Sequence, residues 1–91
     1  AVRFPGEIDR VYWDAPRQVR VAEPQRTTIV SAEGFPDVVV WNPGPAKGAA
    51  LADMEPDGYR RMACVEAVVL GRPVLLEPGQ SWSGRQILTA N

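Results

Sequence analysis

The sequence MACVEAVVL, residues 62–70, is the longest apolar stretch of the chain, and a single charged residue, Glu66, interrupts it. Its apolar and β-branched side chains favour a strand, and we predict the longest strand of the protein over Tyr59–Leu70. Because strand side chains alternate between the two faces of a sheet, Glu66 is expected to share a face with Cys64 and Val68. The stretch is far shorter than the ~20 apolar residues of a membrane-spanning helix.

On both sides of this stretch, short β-rich runs separated by nine prolines and eight glycines predict an all-β protein. The other predicted strands cover residues 7–13, 17–22, 27–31, 38–41, 74–76 and 81–88, and a turn over Glu77–Gln80 is expected to join the last two in a hairpin. A short helix is predicted near 46–53, where the residues AKGAALAD favour one or two helical turns. No linker or repeat divides residues 1–91, which predicts a single domain.

The composition excludes several classes of function. Ten basic and eleven acidic residues give a net charge of −1 without blocks of either sign, so neither nucleic acid nor a membrane surface is an expected partner. The chain has one cysteine, Cys64, and no histidine, which argues against an internal disulfide, a catalytic triad and a metal site. No secretory signal pattern is present, and we predict a cytoplasmic location.

Several polar and aromatic residues are candidates for a functional site. A carboxylate in an apolar strand is costly unless it is paired, exposed or used, so the pattern at Glu66 leaves a structural and a catalytic role open. Trp41 and Trp82 could stack on the apolar face of a sugar and Asn42 could bind its hydroxyls, although a tryptophan in a β-sandwich more often belongs to the core. Asp9, in the middle of a predicted strand, fits an exposed face or an ion pair equally well.

Motifs along nearly the whole chain resemble a known family. The chain resembles the C-terminal region of the hexose-6-phosphate mutarotases, or glucose-6-phosphate 1-epimerases, of the aldose 1-epimerase superfamily. The residues that carry this resemblance are Glu7-Ile8-Asp9-Arg10-Val11-Tyr12, Trp41-Asn42-Pro43, Lys47, Ala52-Asp53-Met54, Met62, Cys64-Val65-Glu66, Pro78-Gly79, Trp82 and Arg85-Gln86.

The resemblance implies a cofactor-free isomerase on a large antiparallel β-sandwich, which interconverts the α and β anomers of a hexose 6-phosphate. It assigns general-base catalysis to Glu66 and contact with the sugar hydroxyls to Asp9. Trp41 and Asn42 are predicted as further substrate-binding residues because of their side-chain chemistry. In the family, a histidine and phosphate-binding arginines come from an earlier part of the chain. Since this sequence has no histidine, we expect a C-terminal segment that is inactive alone.

Two alternatives stay open. A β-sandwich can bind carbohydrate through Trp41 and Trp82 without catalysis, because fold alone does not establish activity. Part of a sandwich also leaves open sheet edges and an uncovered apolar face, which favour association with the missing N-terminal part or with another copy of the chain.

Overall fold

The computed structural model describes residues 6–90, and most of its regular structure is β-sheet. A seven-residue helix and one turn of 3-10 helix at Gly58–Arg61 complete it, so the predicted all-β class with one short helix is confirmed. The elements are β1 (Ile8–Tyr12), β2 (Gln18–Ala22), β3 (Thr27–Glu33), β4 (Asp37–Asn42), α1 (Gly44–Ala50), β5 (Cys64–Val68) and β6 (Arg85–Ala90).

The described strands form two three-stranded sheets. In one sheet the order is β1-β4-β5, so β4 is hydrogen-bonded to both of its neighbours. In the other the order is β2-β3-β6, and both pairings are antiparallel, with Gln18 opposite Ser31 and Glu33 opposite Arg85. The central strand β3 buries Val30 and leaves Ser31 partly accessible, which is the alternation expected of a sheet covered on one face.

The chain divides into two compact units. Among the described residues, the first contains residues 6–11 together with Val39–Glu66, and the second contains Tyr12–Val38 together with residues 67–90. Within residues 6–90, the buried apolar residues are Ile8 and Val40 in the first unit and Val30, Ala32 and Val38 in the second. Each unit therefore has a small core, as expected of short chain segments.

The second unit also exposes large apolar side chains. Leu75 is 88% exposed and Leu88 is 67% exposed. Val74, Leu76, Trp82 and Ile87 are exposed as well. Exposed apolar side chains of this kind are typical of a region that another chain segment or another molecule covers.

The helix begins and ends earlier than predicted, at Gly44–Ala50 instead of 46–53. The prolines in Asn42-Pro43-Gly44-Pro45 end β4 as expected, but Pro45 lies in the first helical turn, where a missing N–H costs nothing. Leu51 already has an extended backbone, with φ −75° and ψ 124°, so the helix ends before it.

Two strand predictions are wrong in part. The expected long strand over Tyr59–Leu70 is shorter, because Gly58–Arg61 forms the 3-10 turn and β5 covers only Cys64–Val68. The turn at Glu77–Gln80 is present, with Gln80 N donating to Glu77 O at 2.9 Å and Gly79 at φ +84°. Residues 74–76, however, form no strand, and β6 pairs with β3 instead of closing the predicted hairpin.

Candidate functional site

Glu66 is the one exposed residue of β5. Its four strand neighbours are partly buried, so the carboxylate is accessible although it lies in an apolar strand. Burial raises the pKa of the Cys64 thiol, and the negative charge of Glu66 raises that pKa further. Cys64 is therefore a protonated, weakly reactive thiol beside an available carboxylate.

The structure places the four predicted site residues on the three strands of one sheet. Asp9 lies on β1, Trp41 and Asn42 end the central strand β4, and Glu66 lies on β5. All four belong to the first unit. Asp9 is exposed, Trp41 is partly buried and Asn42 is buried. Their assignment to a sugar site stays a prediction.

Asn42 is 1% exposed, and its amide group is held by the backbone of three other residues. Its Nδ2 donates to Tyr59 O and to Met62 O, both at 2.8 Å. Its Oδ1 accepts a hydrogen bond from Gly44 N at 2.9 Å. Both N–H hydrogens of the amide are thus used within the protein, which the sequence pattern did not indicate.

Gly44 is the point where the start of α1 approaches the segment before β1. Its φ is +72°, and a Cβ at this position would lie 2.6 Å from Glu7 N and 3.0 Å from Gly6 C. Only glycine fits this close approach of two backbone segments. The same segments are joined by Lys47 Nζ and Glu7 Oε2 at 2.6 Å, which is an exposed ion pair.

The charge of Lys47 is influenced from β1 as well. The hydrogen bond that Lys47 donates to Glu7 raises the pKa of Lys47 most, the negative charge of Glu7 adds to this, and Asp9 makes a smaller contribution in the same direction. The Asp9 carboxylate therefore lies within the electrostatic range of a cation on α1. The resemblance included Lys47, but no pattern in the sequence indicated this interaction.

A second buried polar residue, Asp37, lies in the second unit. The sequence pattern did not identify it as a residue whose side chain organises the surrounding backbone. The residue is 2% exposed, and its carboxylate accepts from Gly71 N at 2.8 Å, Leu70 N at 3.0 Å and Asp14 N at 3.1 Å. The hydrogen bond from Gly71 N lowers the pKa of Asp37 most, followed by the one from Leu70 N. Nothing local in Phe35-Pro36-Asp37 signals these donors, which come from distant parts of the chain.

A cleft of about 290 Å³ lies beside Asp37. Its lining residues are Trp13, Asp14, Pro36, Asp37, Gly71 and Arg72. The Asp37 carboxylate already accepts hydrogen bonds from three backbone N–H groups, so its role here is to fix the positions of these backbone segments. None of the predicted site residues lines this cleft.

Residues 6–90 contain no cluster of three histidine, cysteine, aspartate or glutamate side chains arranged to hold a metal ion. Within the same residues, no helix has the length and apolar character needed to cross a membrane.

Comparison with known proteins identifies the family. The sequence profile of the family described as aldose 1-epimerase matches residues 1–89, nearly the whole chain. The chain belongs to the aldose 1-epimerase family. The resemblance inferred from the motifs is therefore confirmed.

Three curated relatives of the aldose 1-epimerase chain carry the same name, "Putative glucose-6-phosphate 1-epimerase". The protein of Cenchrus ciliaris is 40% identical over 92 residues, which cover 99% of this chain and 28% of the relative. That of Salmonella typhimurium is 40% identical over 77% of this chain and 24% of its own length. That of Escherichia coli is 39% identical over 69% of this chain and 22% of its own length.

The chain therefore spans only about a quarter of the length of these relatives. No solved structure matches it.

Proposed function

We propose that this chain is the C-terminal segment of an isomerase that interconverts the α and β anomers of a hexose 6-phosphate. The observation that carries the proposal is the match of the aldose 1-epimerase profile to residues 1–89, which include an accessible carboxylate at Glu66. The relatives named for glucose 6-phosphate support a phosphorylated hexose as the substrate.

In the proposed mechanism, Glu66 is the general base. It removes the proton from the O1 hydroxyl while the C1–O5 bond breaks, C1=O1 forms and an acid gives a proton to O5. The open-chain aldehyde rotates about C1–C2, and the reverse steps close the ring on the other face. No cofactor is needed, because the sugar is neither oxidised nor reduced.

Two of the other predicted residues, Asp9 and Trp41, bind the sugar in this proposal. Asp9 is exposed on β1 and can accept hydrogen bonds from sugar hydroxyls. Trp41 is partly buried at the end of β4, where the accessible part of its ring can stack on the apolar face of a pyranose. Asn42, the third predicted substrate-binding residue, is 1% exposed and its amide is hydrogen-bonded to backbone groups, so we propose no direct contact of its side chain with the sugar.

In this proposal the acid comes from outside these residues. Ring opening needs an acid and a base on the same sugar, and the sequence contains no histidine to serve as the acid. The relatives are about four times longer than the segment that this chain matches. We therefore propose that the chain is inactive alone and works with the remainder of a longer cytoplasmic polypeptide.

The test is Glu66→Gln in the full-length protein, with exchange between the anomers of glucose 6-phosphate followed by NMR. Loss of a general base should lower the exchange rate by about 10²- to 10⁴-fold, while sugar affinity stays within a few-fold. Glu77→Gln is the matched control, because Glu77 is exposed in the turn at Glu77–Gln80. An unchanged rate in Glu66→Gln would refute the proposed base.

A non-catalytic carbohydrate-binding module remains the alternative. Variants of the two tryptophans distinguish this module from the enzyme. Trp82 is 41% exposed and packs edge-on against Phe35, with 5.3 Å between the ring centroids, so part of its ring is accessible to a sugar. If Trp41→Ala or Trp82→Ala abolishes sugar binding and no variant changes the anomer exchange rate, the binding module is the correct function.

A further inference from the structure

Asn42 has an environment that a sugar contact alone would not require. Among residues 6–90, only Asp37 and Asn42 are buried polar or charged side chains, and Asn42 is the more deeply buried. Burying an amide costs free energy unless its groups are hydrogen-bonded. At Asn42 both donors and one acceptor lone pair are satisfied by backbone groups, so the burial is compensated.

The backbone groups that Asn42 holds lead directly into the strand of the proposed base. Met62 comes two residues before β5, and Tyr59 lies in the 3-10 turn before it. Asn42 itself ends β4, the strand to which β5 is hydrogen-bonded. The amide therefore joins the end of β4 to the entry of β5 within the first unit.

The entry of a strand determines which way its side chains point. A shift of one residue in the pairing of β5 would move every side chain to the opposite face of the sheet, including that of Glu66. A smaller displacement matters as well, since a misplacement of about 1 Å in a catalytic group can cost about 10²-fold in rate.

We propose that Asn42 is a positioning residue. Its hydrogen bonds hold the segment before β5, so that the Glu66 side chain lies on the correct face of the sheet and at the correct distance from the sugar. This inference rests on the proposed role of Glu66 as the base. It assigns to Asn42 an effect on catalysis that passes through β5, without requiring contact between the amide and the sugar.

Asparagine suits this role because its side chain supplies two donors and an acceptor at one short distance from the backbone. Aspartate keeps the acceptor for Gly44 N but places an oxygen against the carbonyl groups of Tyr59 and Met62. Glutamine keeps all three groups and moves them one methylene farther from β4. The two substitutions thus remove the donors or displace them.

The experiment measures kcat and KM for anomer exchange in the full-length protein with Asn42→Asp and Asn42→Gln, each with and without Glu66→Gln. Val30→Ala is the stability control, since it removes buried volume from β3 in the other sheet. All variants are assayed well below their melting temperatures, and Asn42→Gln decides if Asn42→Asp does not fold.

The expected result is a kcat lowered by about 10- to 100-fold in the Asn42 variants with KM within threefold, and a kcat within twofold of wild type in Val30→Ala. In the Glu66→Gln background, the same Asn42 substitutions should lower kcat by less than twofold, because the group through which they act is already gone. A purely structural effect would be equally large in both backgrounds.

Two results would overturn the inference while leaving the proposed function intact. One is a kcat within twofold of wild type in a folded Asn42 variant when Glu66→Gln alone abolishes exchange. The other is a tenfold rise in KM with an unchanged kcat, which would show direct sugar binding by Asn42. A wild-type rate in Glu66→Gln would instead refute the proposed base itself.

Discussion

Gly44→Ala should be among the most destabilising substitutions of its size in this chain. At φ +72° an alanine pays about 1–2 kcal/mol for the left-handed backbone conformation. Its Cβ would also lie 2.6 Å from Glu7 N. Because the neighbour is backbone and not a flexible side chain, the segment before β1 must move, which adds about 1–3 kcal/mol. The expected loss is therefore about 2–5 kcal/mol, against a total stability of roughly 5–15 kcal/mol.

Two other glycines separate these contributions. Gly79 also has a positive φ, +84°, but a Cβ there meets nothing within 4 Å. Gly79→Ala should therefore lose only the conformational part, about 1–2 kcal/mol. Gly6→Ala has neither a positive φ nor a close neighbour, and it should change stability by less than about 0.5 kcal/mol.

Urea unfolding of the three variants in the full-length protein, compared at equal m-values, measures these differences. The order of destabilisation should be Gly44→Ala, then Gly79→Ala, then Gly6→Ala. If Gly44→Ala is no more destabilising than Gly79→Ala, the inference that a Cβ at position 44 clashes with the segment before β1 is refuted.

Two further predictions concern the second unit. The pKa of Asp37 is lowered in the folded protein by hydrogen bonds from the backbone N–H groups of Gly71, Leu70 and Asp14. The ionised Asp37 carboxylate therefore stabilises the fold fully at pH values above its unfolded pKa of about 3.9. This stabilisation is lost as the pH falls through the lower pKa that Asp37 has in the folded protein. The urea midpoint of the wild type should thus fall more steeply below pH 4 than that of Asp37→Asn, and parallel curves would contradict this. The isolated chain should self-associate through its exposed apolar residues. Sedimentation should show less association for Leu75→Glu and Leu88→Glu than for the wild type. A stable monomeric wild type would refute association through these residues.

The sequence predicted those parts of the fold that depend on local chemistry. Alternating residues gave β1 and β2 to within one residue at each end, and the proline and glycine of Glu77–Gln80 gave the turn. The position of β6 could not be predicted in this way, because it pairs with β3, more than fifty residues earlier in the chain. The apparent continuity of Tyr59–Leu70 concealed a 3-10 turn whose carbonyl groups are partly held by Asn42.

The candidate site shows the same limit at the level of single residues. The apolar run around Glu66 made its carboxylate conspicuous, and the resemblance supplied a role for it. The sequence could not indicate which polar residues are buried, because burial of Asn42 and Asp37 depends on hydrogen-bond partners from other segments. Both residues stand at the ends of the apolar run of β4, where a hydropathy pattern predicts exposure.

The contrast between Glu66 and Asn42 bears on how residues of this family motif should be interpreted. Glu66 is exposed and its carboxylate is available to a substrate, as a base requires. Asn42 is buried, and its two N–H groups are committed to the backbone before β5. A polar residue in a catalytic motif can therefore act on the substrate or on the strand that presents the catalytic group. For Asn42 the three backbone hydrogen bonds favour the second, since displacing the amide would move β5 before it changed any contact with a sugar.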